Sequence, residues 1–284
     1  MSALAGIAAA VAQANGVEPP VAAEASVSAH AVAKSLLGGE RKAILLGNAA
    51  AHHEKASSLL MLANWIGKQT GARVGYLTEA ANTVGAQLVR ALPGEGGHTA
   101  AEMLAGGVKA TLLLNVEPGG DSAVDGQALA RSGMVVTLSP FKTNLDISDV
   151  LLPIAPFSET SGSFVNAEGR LQSFHAVVRP LGETRPAWKV LRVLGNLLGL
   201  PGFDADSSLA VLAQALPDVE AGQTVDASRL SNAVSLSQPD LAPAAVAPCV
   251  ASIYQLDGLV RRASSLQLTA DARQAHAKAE QVFA

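Results

Sequence analysis

The chain has 284 residues, of which 49% are hydrophobic and 15% charged, and a formal net charge of -4. That length suits one or two domains and allows about three quarters of the unfolded surface to be buried. An acidic balance in which no Lys or Arg run exceeds two residues excludes the electrostatic footprint of a nucleic-acid binder, and the pale surface points to an occluded face or a partner.

In chain order, Ala3 to Leu37 reads as two helices, the first ending at Gly16 and the second running from about Val21 to Gly38-Gly39, with Glu18-Pro19-Pro20 between them. The Ala-rich stretch Ala3 to Ala12 has no positive residue before Lys34, which is not the pattern of a signal peptide. Nowhere does an uncharged apolar run reach the length of a membrane span. Ala43-Ile44-Leu45-Leu46-Gly47 is an apolar run of strand length, and the helix after it carries Leu59, Leu62, Ala63 and Ile66 on one face. The unit then recurs with a strand at Val74 to Leu77, a helix near Thr83 to Leu92, a Gly-rich loop and a short helix at Ala100 to Leu104. A strand at Ala110 to Leu114, a helix from Asp125 to Ser132 and strands at Met134 to Leu138 and Val150 to Leu152 follow. Apolar strands alternating with helices predict an α/β fold, a doubly wound and mainly parallel sheet covered on both faces.

Beyond it, Ala187 to Leu200 places Trp188, Leu191 and Leu194 on one helical face beside Val190 and Leu197, and should pack firmly. A short helix at Leu209 to Leu216, a Ser-rich stretch and the Pro- and Ala-rich Pro239 to Pro248 read as an extension with a linker. Cys249 is the only cysteine, so no disulfide framework or Cys₄ cluster is available, and it reads as a small buried hydrophobe. Ile253 to Gln267 looks ordered and should fold back over the α/β domain, its apolar stripe buried and Arg261-Arg262 turned to solvent; Thr269 onward is a polar helix or tail. The expected organisation is a helical segment at 1–40, an α/β domain at 41–203 and an extension at 204–284.

Few constellations suggest chemistry. The turn Gly47 to His53 sits after a strand, where α/β sheets bind ligands, yet it lacks the Gly-x-Gly-x-x-Gly spacing and the Walker Lys. His52-His53 has no companion ligand at helical spacing and reads as an exposed pair at a helix start. Asp146, Asp149, Glu159 and Glu168 offer a carboxylate pair for acid/base work on paper. The plainer expectation is that Arg170 forms a bidentate pair with Glu159 or Glu168 and pins the loop, while Asn166 closes an Asx turn into Glu168-Gly169. Gly-x-Ser-x-Gly, His-Glu-x-x-His and Cys-x-x-Cys are all absent. No catalytic residue and no metal ligand are assigned.

Residues 149 to 172 join the strand Asp149-Val-Leu-Leu-Pro153 to a loop containing Glu159, Gly162 and Asn166-Ala-Glu168-Gly-Arg170-Leu-Gln172. This segment resembles the corresponding part of the molybdopterin oxidoreductase family. Leu46-Gly47-Asn48, Val116-Glu117-Pro118, Ser139-Pro140-Phe141 and Trp188-Lys189-Val190-Leu191 fall in the family's order, so the resemblance covers about residues 20 to 203. Ile253-Tyr254 and Asp257 to Ala263 are similar to the closing segment of one branch, the G subunit of the proton-pumping NADH-quinone oxidoreductase, complex I.

The resemblance implies a non-catalytic scaffold within NADH-to-quinone electron transfer, held by other peripheral-arm subunits at the cytoplasmic face of the bacterial inner membrane, with no nucleic-acid partner and no direct membrane insertion. It implies no cofactor in this chain. The full-length subunit would carry its 2Fe-2S and 4Fe-4S clusters in an N-terminal half that this sequence lacks, making the chain a C-terminal piece. The alternative is a fragment of a catalytic molybdopterin oxidoreductase, in which Glu159, Asn166, Glu168 and Arg170 contact a pterin dinucleotide. A free-standing small-molecule binding domain is a weaker third possibility.

Overall fold

The computed structural model describes residues 1–122, 126–226, 228, 230–244 and 252–274. It is an α/β protein that divides into two compact units, Met1–Thr83 with Asp226–Val250, and Val84–Val225 with Ala251–Ala284. Cys249 and the end of the Pro- and Ala-rich stretch lie outside the described residues.

In the first unit, α1 (Ser2–Asn15) stops at Gly16, whose φ of 66° needs a left-handed backbone that costs glycine little. Helix α2 (Val27–Gly38) begins later than its sequence pattern suggests, because the Ser26 hydroxyl accepts a hydrogen bond from the Ala29 N–H and fixes the start there. Strands β1 (Ala43–Leu46) and β2 (Arg73–Tyr76) pair in parallel, Ala43 opposite Arg73 and Leu46 opposite Tyr76. The one-turn α3 (Asn48–Ala51) and the crossover helix α4 (Ala56–Thr70) connect them. Leu62 and Ile66 of α4 are fully buried in a core shared with Ala8 and Val11 of α1 and Ala29 and Ala33 of α2. The small residues of α1 and α2 let the helices approach closely. Gly6 faces the Glu24 carbonyl, which would lie 3.0 Å from an added Cβ.

Residues 230–244 pack on this same unit. The Lys55 ammonium lies 2.6 Å from Asp240 and donates to the Ala242 carbonyl, while Asp240 N–H donates to Ser58 Oγ and Asn232 bonds the Val74 carbonyl.

In the second unit α5 covers Thr83–Leu88 only. The helix expected to Leu92 ends early because Arg90 takes a positive φ of 57° ahead of Pro93. A reciprocal capping box between Thr99 and Glu102 starts α6 (Ala100–Leu104). Strands β3 (Ala110–Leu114), β4 (Met134–Ser139) and β5 (Val150–Pro153) form a parallel sheet in that order, Leu112 opposite Val136 and Val136 opposite Val150. After β3 comes α7 (Pro118–Asp121), and in place of the expected helix at 125–132 a 3₁₀ turn spans Gln127–Arg131, started by a left-handed Gly126. Asp125 itself lies outside the described residues.

One face of this sheet is a true core, with Leu113, Val135, Leu104, Leu129 and Ile147 packed together. The opposite face is covered only in part, not fully as expected: Leu138, level with Leu114, is fully buried, but its neighbours are not. Leu112, Leu114, Met134 and Val150 are each 40 to 49% exposed, because the β4–β5 connection carries no helix to lie on that side.

An antiparallel hairpin follows, β6 (Gly162–Val165) with β7 (Leu171–Phe174). Helix α8 (Ala187–Leu197) packs Gly195 against the Phe203 ring, but Leu197, expected near its inward face, is 80% exposed. It is followed by α9 (Ser208–Ala215), capped by Ser207, and by α10 (Gly258–Arg262) and α11 (Ser264–Gln267). Among the described residues no helix is long and apolar enough to cross a membrane.

Candidate functional site

The Asn166 loop turns out to be the tip of the β6–β7 hairpin. Asn166 Oδ1 accepts from the N–H groups of Glu168 and Arg170 at 3.0 and 2.9 Å, and Gly169 supplies the positive φ of 80° that the turn requires. The Asx turn is therefore present. The Arg170 ion pair is not: among the described residues Arg170 joins no ion pair, its side chain is exposed, and Glu168 is exposed as well. Glu159 is used elsewhere, accepting the Leu181 N–H at 2.9 Å. What pins the loop is backbone. Val225 N–H donates to the Gly169 carbonyl at 2.8 Å, and Leu171 exchanges two bonds with residues 222–223. Arg170 forms an antiparallel bridge with Thr224.

The imagined carboxylate pair dissolves in the same way. Asp149 accepts the Val135 N–H at 2.7 Å and fixes the entry of β4, while Asp146 meets Gln127 at a long 3.4 Å. His52 lies 2.6 Å from Glu79, and His53 accepts the Lys55 N–H, so the two rings point to different partners. Among the described residues no three His, Cys, Asp or Glu side chains are placed to hold a metal ion.

The densest cluster of charge in the second unit lies where sequence inspection did not look, at the carboxyl ends of β3 and β4. Glu117 and Asp121 sit at the two ends of the single turn α7, and the Asp121 carboxylate accepts the Glu117 backbone N–H at 2.7 Å, which ties it to the start of the turn. Phe141 follows β4. Onto this surface the C-terminal segment brings Arg261 and Arg262. The Arg262 guanidinium forks onto both oxygens of Glu117, at 2.9 and 3.1 Å, and lies 4.1 Å from the centre of the Phe141 ring. Arg261 donates to Asp121 at 2.7 Å and to the Gln255 carbonyl at 2.6 Å, with Glu117 3.7 Å away.

This arrangement is tightly fitted. A Cβ on Gly120 would stand 3.1 Å from the Arg261 guanidinium carbon, and one on Gly258 would stand 3.4 Å from Glu117 and Phe141. Asp257 caps α10 by accepting the Leu259 and Val260 N–H groups, which orients the two arginines. The Arg261 side chain is only 13% exposed. Burial alone disfavours its charge, but the hydrogen bond and charge of Asp121, with Glu117 and Asp257, outweigh that and raise its pKa above the ordinary value. The expectation that both arginines face solvent with the stripe buried is thus corrected in part: Arg261 is turned inward, Arg262 keeps a 37% exposed side chain, and of the stripe Leu259 and Val260 are half-buried while Ile253, 72% accessible, and Leu256 stay exposed. The signal available in sequence was an Arg doublet in an apolar segment whose nearest acid, Asp257, is spent as a helix cap, together with Val116-Glu117-Pro118.

Residues 21–197 match the family model for molybdopterin oxidoreductase. The chain belongs to the molybdopterin oxidoreductase family. Glu117, Phe141 and the Asn166 loop all lie inside that match, whereas Arg261 and Arg262 lie beyond it. The chain is similar to a protein of Staphylococcus aureus (strain bovine RF122 / ET3-1) that bears the name formate dehydrogenase, 42% identical over 52 residues, 18% of this chain and 5% of that protein. It is also similar to a protein named as oxidoreductase YjgC of Bacillus subtilis (strain 168), 34% identical over 95 residues, 33% of this chain and 9% of that protein. A further protein bearing the name formate dehydrogenase, in Staphylococcus aureus (strain USA300), is 40% identical over 52 residues, again 18% and 5%. The match to this molybdopterin oxidoreductase chain thus spans less than a tenth of each of these relatives.

Proposed function

We propose that this chain is the C-terminal scaffold portion of the G subunit of a proton-pumping NADH-quinone oxidoreductase, supporting NADH-to-quinone electron transfer in the assembled complex without chemistry of its own. The observation that carries the proposal is the seating of Arg261 and Arg262 over the carboxyl ends of β3 and β4. In an open α/β sheet that edge is where a ligand sits. Here two guanidinium groups meet two carboxylates, so the edge is filled and neutralised by the chain itself.

In this reading the four motif positions serve the loop itself and not a pterin dinucleotide. Asn166 is committed to its own turn and to Gln172, and Glu159 to the Leu181 N–H. Glu168 adds a negative charge that repels a pyrophosphate, against the single cation of Arg170. The proposal places the chain among other peripheral-arm subunits at the cytoplasmic face of a bacterial inner membrane, with the iron-sulfur clusters carried outside residues 1–284.

A tagged chain co-expressed with the peripheral-arm subunits should co-purify with them. Purified alone, it should carry no stoichiometric molybdenum, tungsten, iron or pterin and should not oxidise NADH with an artificial acceptor. Stoichiometric pterin or molybdenum retained through chelator treatment would overturn the proposal. That outcome belongs to the second reading, a portion of a catalytic molybdopterin oxidoreductase, which the similarity to proteins named for formate dehydrogenase favours.

A further inference from the structure

Arg261 and Arg262 are held the way a binding site holds a ligand. The acceptor comprises Glu117, which takes the Arg262 fork on both oxygens, Asp121, which takes Arg261, and the Phe141 ring beneath Arg262. Every acceptor group lies between residues 117 and 141, on α7 and just after β4, and the backbone that carries them is tied down without help from the C-terminal segment. Asp121 is tied to the Glu117 N–H, and Phe141 N–H bonds Ser139 Oγ at 3.1 Å. The occupant, by contrast, depends on the acceptor. Helices α10 and α11 are five and four residues long, far below the length at which a helix is stable by itself. Its large apolar groups contribute in part only: Leu259 and Val260 are half-buried and Ala272 is buried, while Ile253, Leu256, Leu266 and Leu268 remain exposed.

We propose that Glu117, Asp121 and Phe141 form a recognition site for an Arg-Arg segment, and that the C-terminal segment of a second copy of this chain can fill it in exchange for the chain's own. The contact is charge-assisted, rim-like and poor in apolar burial, so it opens more readily than a packed core. Identical groups meet whether the segment comes from the same chain or from its neighbour, and the tether alone favours the internal occupant, through an effective concentration in the millimolar range. Mutual exchange closes a two-fold dimer. The inference concerns this chain's own surfaces and stands apart from which oxidoreductase it serves.

Complementation between two full-length variants tests it. Arg261→Ala/Arg262→Ala keeps the acceptor but has no ligand, and Glu117→Gln/Asp121→Asn keeps the ligand but has no acceptor. Neither should dimerise alone. Mixed at concentrations near a millimolar, they should form a complex of twice the monomer mass by light scattering, and it should dissociate as salt is raised. Two folded variants that remain monomeric in the mixture overturn the proposal, and so does a mixture whose association is indifferent to salt.

If either double variant fails to fold, the single substitutions Arg262→Ala and Glu117→Gln carry the same comparison, read with a labelled peptide spanning residues 252–274. Arg262→Ala should bind that peptide about fivefold tighter than wild type, whose site is already filled. Glu117→Gln should bind it more weakly than Arg262→Ala. Equal affinity across the three proteins also overturns the proposal.

Discussion

Arg261→Ala should destabilise the second unit by about 2 to 3 kcal/mol. The figure follows from where the pair lies between two limits. A solvent-exposed ion pair contributes about 0 to 1 kcal/mol, while removing one member of a fully buried pair costs about 3 to 5 kcal/mol by stranding the other charge. Arg261 is 13% exposed, Asp121 23% and Glu117 20%, which is closer to the buried limit yet wet at the rim. The substitution removes two charge-assisted donors and leaves Asp121 without its guanidinium. Arg262 is 37% exposed, so Arg262→Ala should cost about 1 kcal/mol. Chemical denaturation of both variants, followed by a probe in the second unit, gives the comparison. Amide exchange across residues 252–267 should rise more in Arg261→Ala than in Arg262→Ala. A double-mutant cycle with Asp121→Ala should return a coupling of about 1 kcal/mol or more. Equal costs for the two arginines, or both within about 0.5 kcal/mol of wild type, would refute the burial argument.

Arg170→Ala should change stability by about 0.5 kcal/mol or less, because the side chain is exposed and joins no ion pair among the described residues; a loss of several kcal/mol in a urea melt would contradict its placement. Asn166→Ala removes the acceptor of two backbone N–H groups and should cost about 1 kcal/mol with faster exchange at Glu168 and Arg170. Gly195→Ala drives a methyl into the Phe203 ring and should cost about 1 to 3 kcal/mol by thermal denaturation; an unchanged melting temperature would contradict the packing. Asp240 is held below the ordinary carboxylate range, first by its hydrogen bond from Lys55 and then by the Ala242 N–H. A depressed acid contributes above its unfolded pKa, so protection at residues 240–242 should hold from neutral pH to about pH 4 and fall as pH drops further. Loss of that protection on the alkaline side, near pH 8, would show a different cause.

Strands are the part of this fold that sequence reveals best. Ala43 to Leu46, Ala110 to Leu114 and Met134 to Leu138 are continuous apolar runs, and each is a parallel strand within a residue of its expected ends. Helix ends set by local chemistry were less legible. The Ser26 cap shortens α2, and Arg90 stops α5, though neither residue breaks the apolar period. The β6–β7 hairpin escaped notice because Gly162 to Val165 and Leu171 to Phe174 are short and half polar, and their turn is an Asx type, not the two-residue Asn-Gly signal. Proximity in sequence also misled: Glu159 and Glu168 looked like partners for Arg170, whereas residues 222–225 hold the loop through backbone bonds.

The Arg261–Asp121 contact joins residues 140 positions apart, and no periodicity or spacing can point across that distance. Yet charge scarcity narrows the field. With only 15% of residues charged, an Arg doublet embedded among Leu259, Val260 and Ala263 either stays in water or must find carboxylates, because a buried guanidinium without one is prohibitively costly. The acids that can receive it must themselves be rigid and mutually close, a repulsive arrangement that persists only with cations nearby. Glu117 and Asp121 meet that condition on one turn of helix, their carboxylates 3.7 and 2.7 Å from the same Arg261 guanidinium. The two doublets are each incomplete alone, and it is their shared incompleteness, more than either motif, that makes the strand ends of β3 and β4 the place where this chain recognises arginine.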